Sequence, residues 1–395
     1  MDRLPFDRGD DPLAVAQRYR ALQDQTAVAP VHTMAGGPAW LVTRHADVKA
    51  LLSDDRLGRA HPHPDRAARI SGSALLGGPS GDHRTEHAQH QRLRRLLAPA
   101  FSARRMQRLR VRVGDLVEDL LEEIGTPPAD LHQAVSMPLP VLVICELLGA
   151  PYDERDRFRS WSADLASFDA NRSQAALREF TGFMHTLVAE KRRTPGEDVL
   201  SDLLHAATDQ QPGTAATTDA DVARMAAMLL FAGHETTMVR IDLGVLLLID
   251  HPDQYRALRE NPQLIDSAVD EILRLSSITA IGGLPRYAKT DLTIDETTIS
   301  AGDAVLLATA AANRDPRVFP DPETFDITRT PNQHLAFGHG PRYCIGAGLA
   351  RIELCEVLLR IVHRFPTLEL AIPRHQLRTH RASLTGGLAA LPVTW

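Results

Sequence analysis

Asp219–Asp250 reads DADVARMAAMLLFAGHETTMVRIDLGVLLLID, and the fold is decided here. The stretch is continuous in helical periodicity, opens on the capping-type residues Thr217, Thr218 and Asp219, and stops before His251-Pro252. At about 1.5 Å per residue it is roughly 45–50 Å long, enough to cross a whole domain. From Met225 to Gly233 it is apolar almost all round, which predicts burial on every side. In that buried stretch stand Ala232-Gly233-His234-Glu235-Thr236-Thr237. Glycine inside a helix costs about 1 kcal/mol against alanine, and a glutamate and two threonines need polar partners. Either a second helix crosses closely over Gly233, with the threonine hydroxyls bonded back to the preceding turn, or the helix is distorted to open a pocket and present an acid–alcohol pair. The helix alone leaves both open.

Helical periodicity also fills the chain upstream, from Glu86 through QRLRRLLAPAF, VGDLVEDLLEEI and MPLPVLVICELLGAP, and continues to about residue 275. Nearer the start, Leu13–Leu22 reads as a short helix, AWLVTR (Ala39–Arg44) as a strand, HADVKALLSD as a helix, and 57–85 as a long loop. From Ile278 short β-like segments (LTIDETTI, DAVLLATA) alternate with turns, followed by one more helix, Ala347–Phe365, and a final β-like stretch. The expected class is α+β and mostly α-helical, a single large helical domain over 1–395 with a smaller β-rich region.

Composition narrows the function. The chain is 44% apolar with a net charge of −6, which gives no support to a global nucleic-acid footprint. Cys145, Cys344 and Cys355 are too few and too scattered for a disulfide framework. No run approaches the 18 or so apolar residues of a spanning helix, and MDRLPFDRGDD carries no secretory core. The expectation is a cytoplasmic monomer that contacts neither membrane nor nucleic acid.

One segment carries chemistry of its own: Phe337-Gly338-His339-Gly340-Pro341-Arg342-Tyr343-Cys344-Ile345-Gly346. Two glycines and a proline forbid regular structure before the cysteine, and a helix begins just after it. The exposed N–H groups and positive end of that helix are expected to lower the thiol pKa. Glycines let backbone approach a flat object closely. A single thiolate so presented suits haem iron, since zinc would need further Cys or His ligands nearby. The ordinary explanation of a lone cysteine, a small buried hydrophobe, is countered by the flanking glycines and Arg342.

Elsewhere, Glu271-Ile272-Leu273-Arg274 places a carboxylate and a guanidinium on one helix face. His90 and Arg94, four apart, can jointly grip an anion. The arginines at 84, 92, 94, 95, 104, 105, 108, 110 and 112 read as a solvated face, or as a surface for an acidic partner or a nucleic-acid backbone, the last disfavoured by the net acidic balance.

Taken together these motifs resemble the bacterial cytochrome P-450 family. The decapeptide is similar to its cysteine-ligand loop, AGHETT to its central helix, EILR to its Glu-x-x-Arg pair, and His90 with Arg94 to its propionate clamp. They stand in family order over residues 40–395. The resemblance implies a haem-thiolate monooxygenase with haem b (heme b, iron protoporphyrin IX) ligated by Cys344. Glu235 and Thr236 would handle protons. His90, Arg94, Arg286 and Arg342 would bind propionates, with Phe337, Gly338 and Gly346 also against the haem. Glu271 and Arg274 would brace the proximal side. Substrate would lie against Leu229, Ala232, Gly233, Ile278, Ile281 and Leu388, roofed by 57–85 and 158–190. It is expected to be a bulky apolar secondary-metabolite intermediate that is hydroxylated, epoxidised or oxidatively coupled. Electrons would come from NAD(P)H through ferredoxin and ferredoxin reductase, docking on an arginine-bearing face that includes Arg104 and Arg105. A haem-binding sensor or carrier is the alternative, but it has no use for Glu235 and Thr236.

Three positions depart from the family pattern. Arg342 stands where histidine is common, and a guanidinium also suits a propionate. Pro322-Glu323-Thr324-Phe325 lacks the arginine that often completes the Glu271–Arg274 pair, a partner that Arg314 could supply. Gly348 replaces a frequent proline or asparagine.

Overall fold

Helices dominate the computed structural model, which describes residues 1–208, 217–276, 280–380 and 382–395. Among the described residues they are, in chain order, α1 (Gln17–Gln25), α2 (His45–Leu52), α3 (Glu86–Leu97), α4 (Ala103–Glu122), α5 (Pro138–Leu148), α6 (Arg155–Ala166) and α7 (Ala170–Arg193). Then follow α8 (Val199–Thr208), α9 (Asp219–Asp250), α10 (Pro252–Glu260), α11 (Ile265–Leu275), α12 (Thr309–Ala312) and α13 (Ala347–Arg364). A six-stranded sheet joins Asp2–Arg3, Val28–His32, Pro38–Val42, Ala304–Leu307, Leu284–Ala288 and Leu57–Gly58 in that spatial order. The class is α+β and mostly helical, as read.

The long helix α9 has the bounds its punctuation predicts. Thr218 Oγ1 accepts from the Asp221 N–H at 3.2 Å while the Asp221 carboxylate accepts from the Thr218 N–H at 2.8 Å, a reciprocal capping box. Pro252 then opens α10, as a ring without an N–H can. Packed by α5, α7, α11 and α13, α9 forms the axis of the main apolar core. It runs unbroken through Gly233, which decides between the two readings left open by the helix alone. A Cβ on Gly233 would lie 3.1 Å from Ile144 Cδ1 of α5, and the Thr236 hydroxyl donates back to the Ala232 carbonyl at 2.8 Å. Close crossing, not distortion, explains the glycine.

The sheet covers one end of this bundle and holds two smaller apolar clusters, one built around Leu4, Leu41 and Leu306, the other around Val42, Val48 and Val305. LTIDETTI, read as one β-like segment, folds as a hairpin of two short strands, with Thr293 opposite Thr298. The first helix lies a few residues later than Leu13–Leu22, and the 57–85 loop contains a two-residue strand and a single turn. Periodicity gave no sign of a π turn at His132–Ser136, where His132 Nδ1 lies 2.7 Å from Asp242 Oδ2, both buried.

Arg274 and Glu271 of α11 have no exposed side-chain surface. Arg274 Nη2 donates to Glu271 Oε1 at 2.7 Å and Nε to Oε2 at 2.8 Å, a bidentate pair. The rest of the guanidinium is absorbed by the carbonyls of Asn313, Pro322 and Thr324. Arg314 does not complete the pair: it binds Glu323 and the carbonyls of Leu13 and Leu275. Arg329 does, donating to Glu271 Oε1 at 3.2 Å, with Asn332 on the other oxygen at 3.0 Å. It is the one arginine between Val318 and Pro341.

Removing one member of a buried, fully bonded pair strands the other charge, at a cost of about 3–5 kcal/mol. Arg274→Leu should therefore yield little folded protein, whereas Arg329→Leu, which leaves Glu271 paired, should lose about 1.5–3 kcal/mol. Chemical denaturation and soluble yield measure both, and equal effects would contradict the ranking.

Candidate active site

The segment before α13 is shaped by backbone that only glycine adopts easily. Gly338 and Gly340 have φ of +73° and +70°, and a Cβ on Gly340 would come within 2.9 Å of the Ser53 backbone. These turns fold the loop back so that the Cys344 N–H donates to the Phe337 carbonyl at 2.9 Å. Cys344 Sγ thereby opens into a cavity of about 390 Å³. The thiol is accessible, yet protein surrounds it on most sides. Burial pushes its pKa up, while the Gly346 N–H and the Arg94 charge pull it down. Desolvation wins, so the lowering expected from the helix terminus alone does not result.

Residues from four distant segments line this cavity. Phe337, Gly338, Arg342, Cys344 and Gly346 come from the loop; Leu229, Ala232, Gly233, Thr236 and Arg240 from α9; Arg286 from the sheet; Glu353 from α13. Ala232 and Thr236 are both exposed on one face of α9, one turn apart, and Met228, 50% exposed, continues that face. Glu235 points elsewhere, because consecutive helical residues diverge by about 100°. It is 5% exposed and accepts from Thr385 Oγ1 at 3.0 Å. Burial raises its pKa, partly offset by the Thr385 hydrogen bond and by His132.

A cationic corner closes one edge. His90, Arg286 and Arg342 meet in a small polar pocket beside the cavity, and Arg94 Nη1 donates to the Tyr343 carbonyl at 2.8 Å. Burial, then the charges of Arg342 and Arg94, push His90 down to about 4. Burial and the neighbouring Arg342 and Arg59 lower Arg286 to about 10. Their buried counter-ion is Glu86, which the motif reading missed. It accepts from the Arg59 N–H at 2.6 Å, the Ala60 N–H at 3.2 Å and Arg342 Nη2 at 2.5 Å. A carboxylate four residues before His90 on the same helix was the available signal. Against the guanidiniums of Arg59, Arg286 and Arg342, one carboxylate leaves positive charge in excess, while His90, pushed to about 4, adds no charge near neutral pH.

Not every expected wall residue gathers here. Ile281 packs in the sheet-side cluster with Leu4, and Leu388 is fully buried in the main core. Ile278 lies outside the described residues. Among the arginines, Arg105 is 19% exposed and pairs with Asp202 at 2.7 Å, so it is not a free docking charge. Arg95, Arg104 and Arg108 are exposed. No helix among the described residues is long and apolar enough to cross a membrane.

Comparison with known proteins gives consistent matches. The family model described as Cytochrome P450 matches residues 156–381. The chain is 44% identical to pentalenolactone synthase of Streptomyces exfoliatus, over 100% of this chain and 99% of that one. It is 39% identical to mycinamicin IV hydroxylase/epoxidase of Micromonospora griseorubida, over 97% and 96%. The crystal structure of the mycinamicin VIII C21 methyl hydroxylase of Micromonospora griseorubida, bound to mycinamicin VIII, superposes with a TM-score of 0.89 at 33% identity, covering 100% of both chains.

Glu235 makes stability pH-dependent. Its folded pKa is raised from 4.5, so its contribution is fully present below that value and is lost as pH rises through the folded value. The loss is at most about 1.4 kcal/mol per pH unit. Denaturation of wild type and Glu235→Gln across pH should show the variant gaining relative stability above pH 4.5. A pH-independent difference would contradict the assigned burial.

Proposed function

The chain belongs to the cytochrome P450 family, the haem-thiolate monooxygenases, and from that premise we propose that Cys344 is the proximal ligand of a haem b in the cavity it shares with Thr236. That sharing is the observation that carries the reading: a thiol from the glycine loop and a hydroxyl from the central helix line one mostly apolar space. The residues present fit the group. Haem is flat and apolar with two carboxylates at one edge, and His90, Arg94, Arg286 and Arg342 gather at one edge with positive charge in excess of Glu86. Buried guanidiniums favour such carboxylates. Cys344 would hold the metal cation as a thiolate, the cation's charge offsetting the desolvation that raises the thiol pKa.

When bound, the haem supplies reductive activation of dioxygen, with one oxygen atom going to substrate and the other to water. The chain's own residues orient, exclude and deliver. Leu229, Ala232 and Gly233 form an apolar wall that keeps water out and lets a bulky molecule approach. Thr236, its proton held by the Ala232 carbonyl, offers oxygen lone pairs to an ordered water. Glu235, whose proton is held more tightly because burial raises its pKa, is the proton reserve behind it. Glu271 and Arg274 keep the proximal loop in place.

The substrate is a bulky apolar secondary-metabolite intermediate, to be hydroxylated, epoxidised or oxidatively coupled. Relatives named for pentalenolactone synthesis and mycinamicin hydroxylation or epoxidation support that class. Electrons come from NAD(P)H through a ferredoxin reductase and a ferredoxin, whose acidic face would meet Arg95, Arg104 and Arg108. Slower, less salt-sensitive reduction of Arg104→Glu would support that face.

Thr236→Ala should keep haem content and ligand-induced spectra while diverting reducing equivalents to peroxide, by roughly tenfold or more in the product-to-peroxide ratio. Peroxide formed per NADPH consumed is the measurement. Unchanged partition would remove Thr236 from proton handling.

A further inference from the structure

Burying Glu235 creates a supply problem: a carboxyl 5% exposed that gives up a proton must regain one through protein. Among the described residues, the hydrogen bonds around it lead one way. Thr385 Oγ1 donates to Glu235 Oε2 at 3.0 Å, so that hydroxyl has only its lone pairs left to offer. Ser383 Oγ lies 3.1 Å from Thr385 Oγ1 and is the donor between them whenever Thr385 donates to an ionised Glu235. Ser383 Oγ in turn accepts from the Thr385 N–H at 3.4 Å. In that state both O–H bonds point inward, toward the carboxyl. Ser383 is partly exposed and follows the exposed Ala382.

We infer that Ser383 and Thr385 form a two-hydroxyl relay that carries protons from solvent to Glu235. The inference rests on the proton-reserve reading of Glu235. When Glu235 releases its proton, the Thr385 proton moves to Oε2 and the Ser383 proton to Thr385 Oγ1. Water at the surface then reprotonates Ser383. Each hop breaks one O–H bond and forms one, no electrons move, and one solvent proton replaces the one delivered. Both hydroxyls are positioning residues acting through Glu235.

The relay is also tied to the roof. The Leu384 N–H donates to the Ala166 carbonyl at 2.8 Å, the Phe168 N–H to the Ala382 carbonyl at 3.2 Å, and Ser383 bridges Ser167. Residues 166–168 form the corner between α6 and α7, so movement of that corner would shift Ser383. A second buried polar cluster lies on α9: its Asp242 pairs with His132, and both ring nitrogens of buried His234 lack a partner among the described residues. It offers no continuous donor chain to Glu235, and it is the competing route.

The test uses holoenzyme reconstituted with a plant-type [2Fe–2S] ferredoxin and its reductase, turning over NADPH and dioxygen without added substrate. The readouts are water against peroxide formed per NADPH, in H2O and in D2O. Glu235→Gln sets the scale for a missing reserve. Thr385→Val and Ser383→Ala should each lower water formed per NADPH toward that value, by about tenfold, with a larger solvent isotope effect. Thr385→Ser should restore wild-type partition, which a purely structural threonine would not predict. If Glu235→Gln shifts the partition and both hydroxyl deletions match wild type, the relay is overturned and the reserve stands, supplied past His132. If Glu235→Gln itself matches wild type, the reserve reading and the relay fall together.

Discussion

The buried charge pair of α11 anchors the chain that leads to the Cys344 loop. Glu271 and Arg274 bind each other and then reach outward: Arg274 to the carbonyls of Asn313, Pro322 and Thr324, Glu271 to Arg329 and Asn332. From there the hold passes along the chain. His334 Nε2 lies 3.4 Å from Asp270 of the same helix, the Leu335 N–H donates to Asn313 Oδ1 at 2.6 Å, and the Cys344 N–H closes on Phe337. Arg351 of α13 pairs with Asp270 as well. The loop thus hangs from α11 by a ladder of hydrogen bonds, charge-assisted where it leaves the Glu271–Arg274 pair. Two charges out of water repay their desolvation only when every remaining donor and lone pair is met, and here nearly all are.

Against that anchored loop stands the second constraint, the crossing of α9. Close approach of Ile144 at Gly233 presses one side of the helix into the core and leaves Ala232 and Thr236 facing the cavity. The same rotation carries Glu235 away from the cavity into protein, where Thr385 meets it. Acid and alcohol are neighbours in sequence but not in space. A proton passing between them would have to cross the helix edge.

Much of this was legible in the chain because it rests on local rules. Capping residues, Pro252 and unbroken apolar periodicity define α9 at both ends. The glycines at 338 and 340 announced a loop that ordinary residues could not make. What stayed hidden depends on tertiary partners. Arg329 rather than Arg314 meets Glu271, because the chain after Phe325 turns back on α11 in a way no spacing encodes. Glu86 became the hub of the cationic corner only when the 57–85 loop brought the Arg59 and Ala60 N–H groups to it. Ile281 and Leu388, apolar and near the family's substrate segments, pack into core instead, since apolar character cannot tell a cavity wall from an interior. The Cys344 thiol shows how magnitudes decide: helix terminus and Arg94 act in the expected direction, and burial outweighs them.

The central claim is that Cys344 is the iron ligand, and the spectrum of the dithionite-reduced, carbon-monoxide-bound holoprotein tests it most directly. Wild type, Cys145→Ala and Cys355→Ala should all show the red-shifted band of a thiolate-ligated carbonyl, because both of those cysteines are buried away from the cavity. Cys344→Ala should lose that band. A Cys344→Ala protein that kept the red-shifted band would contradict the account.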